Sequence, residues 1–256
     1  MALLALGGLA TCRTAPAVRA PLRVMTYNIR HGEGADGRID LERIAAVIRA
    51  QAPDLVALQE VDRATGRAGG TDQAAELGRL TGLRPFFGQA LPFDGGSYGE
   101  ALLARLDVES WAVPALPAAP DHEPRAALEV RVRLEEGALV RFVGTHLDHT
   151  QDPADRIAQA RALEELLRAE PELPTVLAGD FNDEPGAQSL APFAQRWLDA
   201  LGPDRRATWP ADEPHLAIDH VFVAPYGRWH KRAAFIVPEA LASDHRPVVV
   251  DLELTY

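Results

Sequence analysis

The pattern that organises this chain is clearest in Val176-Leu-Ala-Gly-Asp180-Phe-Asn182. The small and apolar residues predict a buried β-strand, which ends at a carboxylate with an amide two residues further on. One polar residue after a strand is commonly a turn former. Here the arrangement recurs, because other apolar runs end at Asn28, Glu60 and His146. Repeated polar strand ends favour a shared site, since α/β folds carry their functional groups at strand termini.

The remaining apolar patterns predict one α/β domain. Strands are expected at 23–28, 54–59, 101–106, 128–134, 139–146, 175–180, 218–223, 233–237 and 247–254. Helices are expected after Asp40, after Asp72 and from Asp152-Pro153, where apolar residues follow at helical spacing behind a capping residue. No repeat or internal linker divides the chain. Strand–helix–strand units at both ends therefore predict a single layered domain.

Composition limits the classes of partner. The 256 residues are 47% hydrophobic and 25% charged, as in an ordinary globular protein, and the formal net charge is −11. Nucleic-acid-binding proteins usually carry a basic stripe, whereas the 26 Lys and Arg are scattered here. The single cysteine, Cys12, excludes an intrachain disulfide framework and a Cys-based zinc site. The charge disfavours broad electrostatic capture of nucleic acid.

The first residues suggest two alternatives. The apolar run before Cys12 resembles the h-region of a secretory signal, and Leu9-Ala-Thr-Cys12 resembles a lipoprotein processing site. In that case residues 1–20 are a signal or lipoprotein segment with a linker at 13–20, and the protein is exported or lipid-anchored through Cys12. The alternative is a disordered or mis-assigned start on a cytoplasmic protein. In both cases the catalytic domain is expected at residues 21–256.

The polar residues at the strand ends define a type of chemistry. Oxygen-rich side chains with two histidines suit Mg²⁺ and proton transfer, and they do not suit a sulfur or all-imidazole zinc site. These residues are Asn28, Glu60, His146, Asp180, Asn182, Asp219, Asp244 and His245. The segment His146-Leu-Asp-His149 raises the alternative of a dinuclear zinc hydrolase, but no other histidine cluster completes one. No Gly-x-Ser-x-Gly is present, which argues against a serine nucleophile.

Six motifs occur in the order of a known superfamily. They are Tyr-Asn28, Gln-Glu60-Val, Thr-His146, Gly-Asp180-Phe-Asn182, Ile-Asp219-His and Ser-Asp244-His245. Together they resemble the endonuclease/exonuclease/phosphatase superfamily, which includes pancreatic deoxyribonuclease, over about residues 22–256. The resemblance implies an α/β four-layer sandwich, with two mixed β-sheets packed face to face and helices outside.

The resemblance also implies the metal and the reacting groups. Glu60 is expected to be the main ligand of Mg²⁺, with Asn28 and Asp244 alongside and Mn²⁺ as a substitute. Asp180 is expected to orient or deprotonate the attacking water, and Asn182 to assist both Asp180 and the phosphate.

Further roles around the phosphate follow from the same resemblance. His245, oriented by Asp219, is similar to the histidine that contacts the scissile phosphate. His146 resembles the second histidine, and Tyr98-Gly-Glu100 resembles a segment that supports it. Arg125 is similar to a phosphate-binding arginine, and Tyr98 is also expected to bind the substrate.

The implied activity is hydrolysis of a phosphate ester, as a phosphodiesterase or phosphatase. The acidic balance, the modest length and the signal-like start favour a small or lipid-linked phosphoester. Nuclease activity on DNA or RNA is the alternative, and a catalytically inactive binding module on the same fold is an alternative of another class. Trp209 is expected to line the substrate pocket or to anchor a loop. No obligate protein partner is evident from the sequence.

Overall fold

The structure, a computed structural model, describes residues 18–135, 137–202 and 207–256. Cys12 and the expected signal or lipoprotein segment before Val18 lie outside these residues. The first strand begins at Arg19, which pairs with Thr255, so the linker expected at 13–20 does not extend beyond Val18. No helix in the described ranges is both long enough and apolar enough to cross a membrane.

Two six-stranded mixed sheets form the centre of the molecule. Their strands are β1 Arg19–Asn28, β2 Leu55–Arg63, β3 Arg84–Phe93, β4 Gly96–Ala104, β5 Val108–Ala112, β6 Ala127–Arg133, β7 Leu139–His146, β8 Thr175–Asp180, β9 Leu198–Asp199, β10 Asp219–Ala224, β11 Trp229–Ile236 and β12 Val248–Thr255. The first sheet has the order β11-β12-β1-β2-β4-β3, and the second has the order β5-β6-β7-β8-β10-β9. Parallel pairs occur at β1–β2 and β7–β8, and the other neighbours are antiparallel.

Helices cover the outer faces of both sheets. The α-helices are α1 Leu41–Gln51, α2 Gln73–Thr81 and α3 Ala154–Arg168. Strand alternation separates the layers: Leu22 and Val24 of β1 belong to the core between the sheets, while Met25 and Tyr27 pack with α1 and α2. A third cluster packs α3 against the second sheet. The four-layer α/β sandwich expected from the sequence is confirmed.

The predicted helix starts are confirmed by their caps. The Asp40 side chain accepts a hydrogen bond from the Arg43 N–H, and the Asp72 side chain accepts one from the Ala75 N–H, both at 3.0 Å. At α3 the cap position is Pro153.

The sequence analysis missed strands β3, β5 and β9. Strand β3 contains Pro85, Gly88 and Pro92, residues that usually argue against a strand. It lies at the edge of its sheet, where a missing N–H can face away from the ladder. Proline is tolerated there because only one side of the strand is paired.

Parallel pairing gathers the polar strand ends at one edge of the sandwich. His146 of β7 is the register partner of Asp180 of β8, and Asp219 of β10 is the antiparallel partner of the same residue. Asn28 ends β1 in the other sheet. Because the sheets pack face to face, these ends meet at a single site.

Close strand approach at Gly179 sets the position of Asp180. A Cβ at Gly179 would lie 2.0 Å from the Thr145 carbonyl oxygen of β7, a contact that only backbone movement relieves. We expect Gly179→Ala to lower the free energy of unfolding by about 3 kcal/mol, as overpacking does, measured by urea denaturation. Gly227→Ala is the matched control, since a Cβ there meets nothing within 4 Å. Equal stability of the two variants would contradict the steric argument.

Candidate active site

Asp180 is the centre of the site. It ends β8 and is 1% exposed. Its Oδ1 accepts a hydrogen bond from the Asn182 N–H at 2.9 Å, and its Oδ2 accepts one from Asn28 Nδ2 at 3.1 Å. His146 Nε2 and His245 Nε2 lie 3.5 and 3.6 Å from the same Oδ2. One carboxylate therefore meets two amides and two imidazoles.

The Phe181 ring explains the alternation in Gly-Asp-Phe-Asn. It is fully buried and packs edge-on against Phe193 and Phe222, with ring centroids 5.9 and 5.4 Å apart. Anchoring Phe181 in the core leaves Asp180 and Asn182 to face the pocket. The backbone at Asn182 has φ +50°, a left-handed conformation that Asn tolerates better than most residues.

Glu60 reaches the site through a β-bulge. The expected strand end at Glu60 is wrong, because β2 continues to Arg63. Leu58 pairs with Ala101 and Val61 with Gly99, so two residues of β2 oppose one of β4. Glu60 has φ +58°, a strained conformation of the kind found at functional sites. The Asn28 Nδ2 donates to its Oε1 at 2.9 Å.

His245 and Asp219 form a buried pair. His245 Nδ1 lies 3.0 Å from Asp219 Oδ2, so the structure brings these two residues into contact. Burial alone would lower the pKa of His245, but the charges of Asp219 and Asp180 outweigh it and raise the pKa to about 10. The imidazole is therefore a cation at neutral pH, with Nε2 directed at Asp180.

The turn that carries His245 is tied to strand β1. Ser243 Oγ donates to the Asn28 carbonyl oxygen at 2.8 Å, and the His245 N–H donates to Ser243 Oγ at 3.3 Å. The Ser-Asp-His motif thus connects the start of β12 to the end of the adjacent strand.

His146 is in the opposite protonation state. Its Nε2 lies 2.9 Å from Asn182 Nδ2, whose N–H donates, so Nε2 carries no proton. Burial, followed by the charge of Arg125, lowers the pKa of His146 well below its ordinary value. The neutral ring carries its proton on Nδ1, which is buried and has no hydrogen-bond partner within residues 18–135, 137–202 and 207–256.

Asp180 is poised near neutrality. Burial raises its pKa to about 7, against the charge of His245, which favours the ionised form. A carboxyl group with this pKa exchanges protons at physiological pH.

The expected support of His146 by the Tyr98–Glu100 segment does not take the form of a direct contact. Among the described residues no hydrogen bond or ion pair joins Glu100 to His146, and Asn182 orients the ring instead. Glu100 lies opposite the bulge of β2, and burial raises its pKa well above the ordinary value. Tyr98 lines the pocket and Glu100 does not.

A pocket of about 530 Å³ opens over these groups. It is lined by Glu60, Arg67, Leu91, Phe93, Tyr98, Glu123, Arg125, His146, His149, Asp180, Asn182, Trp209, Leu216, Ile218, Asp244 and His245. Trp209 thus lines the pocket, one of the two roles expected for it. The guanidinium of Arg125 lies 2.9 Å from Glu123 Oε1 and 3.1 Å from His149 Nδ1.

Sequence reasoning missed three polar residues of this pocket: Arg67, Glu123 and His149. Arg67 follows β2 in a glycine-rich loop that reads as surface. Two hydrogen bonds to the buried carboxylate of Asp62, at 2.7 and 2.9 Å, direct its guanidinium over the Phe93 ring, 4.5 Å from the centroid. The only signal for His149 was its spacing from His146.

The donor chemistry of the site fits a hard cation. Glu60 and Asp244 both present carboxylates to the pocket, and Asp180, Asp219 and His245 place one ligand atom each within 4.8 Å of one another. Mg²⁺ prefers such oxygen ligands, and its charge would offset that of the carboxylates when an anionic phosphate enters the pocket. Asn28 directs its amide nitrogen, not its oxygen, at Glu60 and Asp180, so it orients carboxylates in this structure.

The fold and this site define the class of the protein, which is that of phosphoester hydrolases built on a four-layer α/β sandwich. The model of the endonuclease/exonuclease/phosphatase family matches residues 25–245, and the chain belongs to that family. It is 30% identical to an endonuclease/exonuclease/phosphatase from Beutenbergia cavernae DSM 12333, covering 92% of this chain and 72% of that one with a TM-score of 0.78.

More distant solved structures share the fold. The mannosyl-6-phosphatase Bt3783 of Bacteroides thetaiotaomicron VPI-5482 is 22% identical, with 90% of this chain and 99% of that one covered and a TM-score of 0.74. D. rerio TDP2 complexed with a single-strand DNA product is 17% identical. The match covers 91% of this chain and 98% of that one, with a TM-score of 0.72.

The charge of Asp219 is expected to control His245. Asp219→Asn removes the largest contribution that raises the pKa of His245, so this pKa should fall from about 10 toward the ordinary imidazole value. A long-range ¹H–¹⁵N NMR titration of the imidazoles in EDTA measures it. Asp212→Asn, at an exposed position, is the control. An unchanged His245 titration in Asp219→Asn would disprove the assignment.

The buried charge of Asp180 is expected to cost stability. Its folded pKa lies above its unfolded value of about 3.8, so its stabilising contribution is complete below pH 3.8 and is lost as pH rises through 7. In EDTA at pH 8, Asp180→Asn should unfold with a free energy about 2 to 4 kcal/mol above wild type, because the raised pKa of Asp180 already includes the attraction to His245.

The matched control for this measurement is Asp107→Asn, at an exposed position between β4 and β5. The difference between Asp180→Asn and wild type should shrink as pH falls toward 4. A difference that is absent at pH 8, or that does not change with pH, would contradict the burial argument.

Proposed function

We propose that this protein is a Mg²⁺-dependent hydrolase of phosphate esters that uses in-line attack of water on phosphorus, with a small or lipid-linked phosphoester as substrate. The observation that carries the proposal is the arrangement around Asp180: its carboxylate is fixed by Asn28 and Asn182 and faces the Nε2 atoms of His146 and His245. The contrasting pKa values of these groups divide them into base and cation.

In this proposal, Asp180 orients and deprotonates the attacking water. With a pKa of about 7 it is ionised in a large share of molecules at neutral pH, and it can accept a proton from a water held in hydrogen-bonding distance. Asn28 and Asn182 fix both of its oxygens through hydrogen bonds. That fixed orientation favours attack along one direction.

His245 and Arg125 are assigned the phosphate. The imidazolium of His245, held by Asp219, offers an Nε2–H to a phosphoryl oxygen on which negative charge develops. Arg125 is buried beside the pocket, and its Nε is without a hydrogen-bond partner among the described residues. A phosphate oxygen would satisfy that donor.

In this proposal, Glu60 is the main ligand of the metal ion. Glu60, with Asp244 and with Asn28 as the orienting amide, would hold Mg²⁺, or Mn²⁺ in its place. When bound, the ion supplies Lewis-acid stabilisation of charge on the phosphoryl oxygens. The β-bulge at Glu60 and its hydrogen bond from Asn28 fix the Glu60 carboxylate, which supports this proposal.

The pocket favours a small or lipid-linked substrate. Its volume of about 530 Å³ suits a single small ligand. Apolar and aromatic side chains form part of its wall: Leu91, Phe93, Tyr98, Trp209, Leu216 and Ile218. The net charge of −11 opposes a long polyanion. The similar fold of a bacterial sugar phosphatase is in keeping with this choice.

Nuclease activity is the second candidate. It is favoured by the fold shared with a TDP2 structure that holds single-strand DNA. A binding module without catalysis is disfavoured because every polar residue of the expected set is present and all but Glu100 gather at the site.

The direct test is metal-dependent turnover of bis-p-nitrophenyl phosphate. Wild type should be active with Mg²⁺ and inactive in EDTA, and Asp180→Asn and Glu60→Gln should each lose about 10³-fold in kcat/KM. Asp107→Asn should retain activity. No metal-dependent turnover on this compound or on a panel of natural phosphoesters would refute the hydrolase proposal.

A substrate panel separates the candidates within the hydrolase proposal. It should compare sugar phosphates, inositol phosphates and sphingomyelin with plasmid and abasic DNA. From the size and lining of the pocket, we expect kcat/KM to be higher for a sugar phosphate, an inositol phosphate or sphingomyelin than for either DNA substrate. Plasmid nicking that exceeds every small substrate and disappears in Asp180→Asn would assign a nuclease instead.

A further inference from the structure

A second group of metal-ligating side chains lies outside the active-site pocket. His122 stands in the loop between β5 and β6, Asp148 follows β7, and Asp155 lies in the first turn of α3. Each offers one ligand atom, and these atoms lie within 4.8 Å of one another. His122 Nδ1 is 2.7 Å from Asp155 Oδ2.

Asp148 is the residue that points to a bound cation. It is fully buried. Its Oδ1 accepts hydrogen bonds from the Thr150 N–H and hydroxyl, whereas its Oδ2 is buried and has no hydrogen-bond partner in the part of the chain that the structure describes. A buried carboxylate oxygen with no donor is costly, so such atoms usually contact an ion or a water.

The carboxylates around His122 also favour a bound positive charge. The hydrogen bond to Asp155 raises the pKa of His122 against the effect of burial, and the charge of Asp148 raises it further. The two carboxylates thus attract a proton to the imidazole when no other cation is available. A divalent cation would meet the same negative field.

We propose that His122, Asp148 and Asp155 form a Zn²⁺ site that is separate from the phosphoesterase centre. One imidazole nitrogen and two carboxylate oxygens are a ligand set that zinc accepts, with water in the fourth position. On binding, the ion takes the place of the proton shared between His122 and Asp155.

The site would fix the loop that carries Arg125. The Ala119 N–H donates to Asp155 Oδ2, and Gln159 Nε2 of α3 donates to the Pro117 carbonyl oxygen, both at 3.0 Å. Arg125 lies in the same loop and contacts His149, the residue after Asp148. A zinc ion at His122 would therefore hold this loop to α3 and β7 from a third point.

The test counts bound zinc in a chain whose expected metal ligand in the active site is altered. Glu60→Gln is compared with Glu60→Gln/His122→Ala by equilibrium dialysis against ZnCl₂ and metal analysis. The second protein should bind one Zn²⁺ ion fewer, because the other active-site side chains are the same in both. Glu60→Gln/His230→Ala is the matched control, since His230 is exposed on β11.

Hydrogen exchange of the loop provides the second readout. Zinc should slow amide exchange at residues 117–125 in the His230→Ala protein and leave it unchanged in the His122→Ala protein. Asp155→Asn, which keeps the side-chain shape, should behave as His122→Ala does. Equal zinc stoichiometry in all the proteins, or identical exchange with and without zinc, would overturn the proposal whether or not the protein hydrolyses phosphoesters.

Discussion

The side-chain amide of Asn28 holds this site together. Its two N–H groups donate to Glu60 Oε1 at 2.9 Å and to Asp180 Oδ2 at 3.1 Å, so one nitrogen connects carboxylates that come from different sheets. Its own Oδ1 accepts a hydrogen bond from the Arg30 N–H at 3.1 Å, which fixes the amide. The spacing between Glu60 and Asp180 is thus set where the sheets meet, and not by a flexible loop. Each sheet contributes one half of the reaction centre.

Burial and neighbouring charge then give similar side chains different roles. His245, between Asp180 and Asp219, is a cation, whereas His146, whose pKa is lowered by burial and by the charge of Arg125, is neutral. The pKa of Asp180 is about 7 because burial opposes its negative charge. One base and one cationic donor in contact can serve both ends of a hydrolytic proton transfer. The aromatic wall of the pocket, by contrast, concerns the choice of substrate and not the bond that is broken.

The sequence was enough to predict that polar side chains meet where those side chains end apolar strands. Asp180 and His146 terminate apolar runs, so the parallel pairing of their strands was enough to bring them together. The conformation of Glu60 was not predictable, because a β-bulge changes the register without changing the apolar period. Arg67 was missed for another reason: its position depends on the buried Asp62 carboxylate, a tertiary contact with no local signature. Strand β3 was missed because its prolines are acceptable only at a sheet edge, and edges are decided by the whole topology.

The division of labour between Glu60 and Asp180 can be seen directly with manganese. Crystals soaked in Mn²⁺ and phosphate, with diffraction data collected at the manganese absorption edge, would locate the ion by its anomalous signal. We expect a peak about 2.1 Å from a Glu60 carboxylate oxygen, the distance of the Mg²⁺ that the ion replaces, with phosphate between the ion and His245 and with Asp180 outside the inner coordination sphere. Manganese bound by Asp180, Asp219 and His245, with none at Glu60, would contradict the central claim that Asp180 serves the water and Glu60 serves the metal.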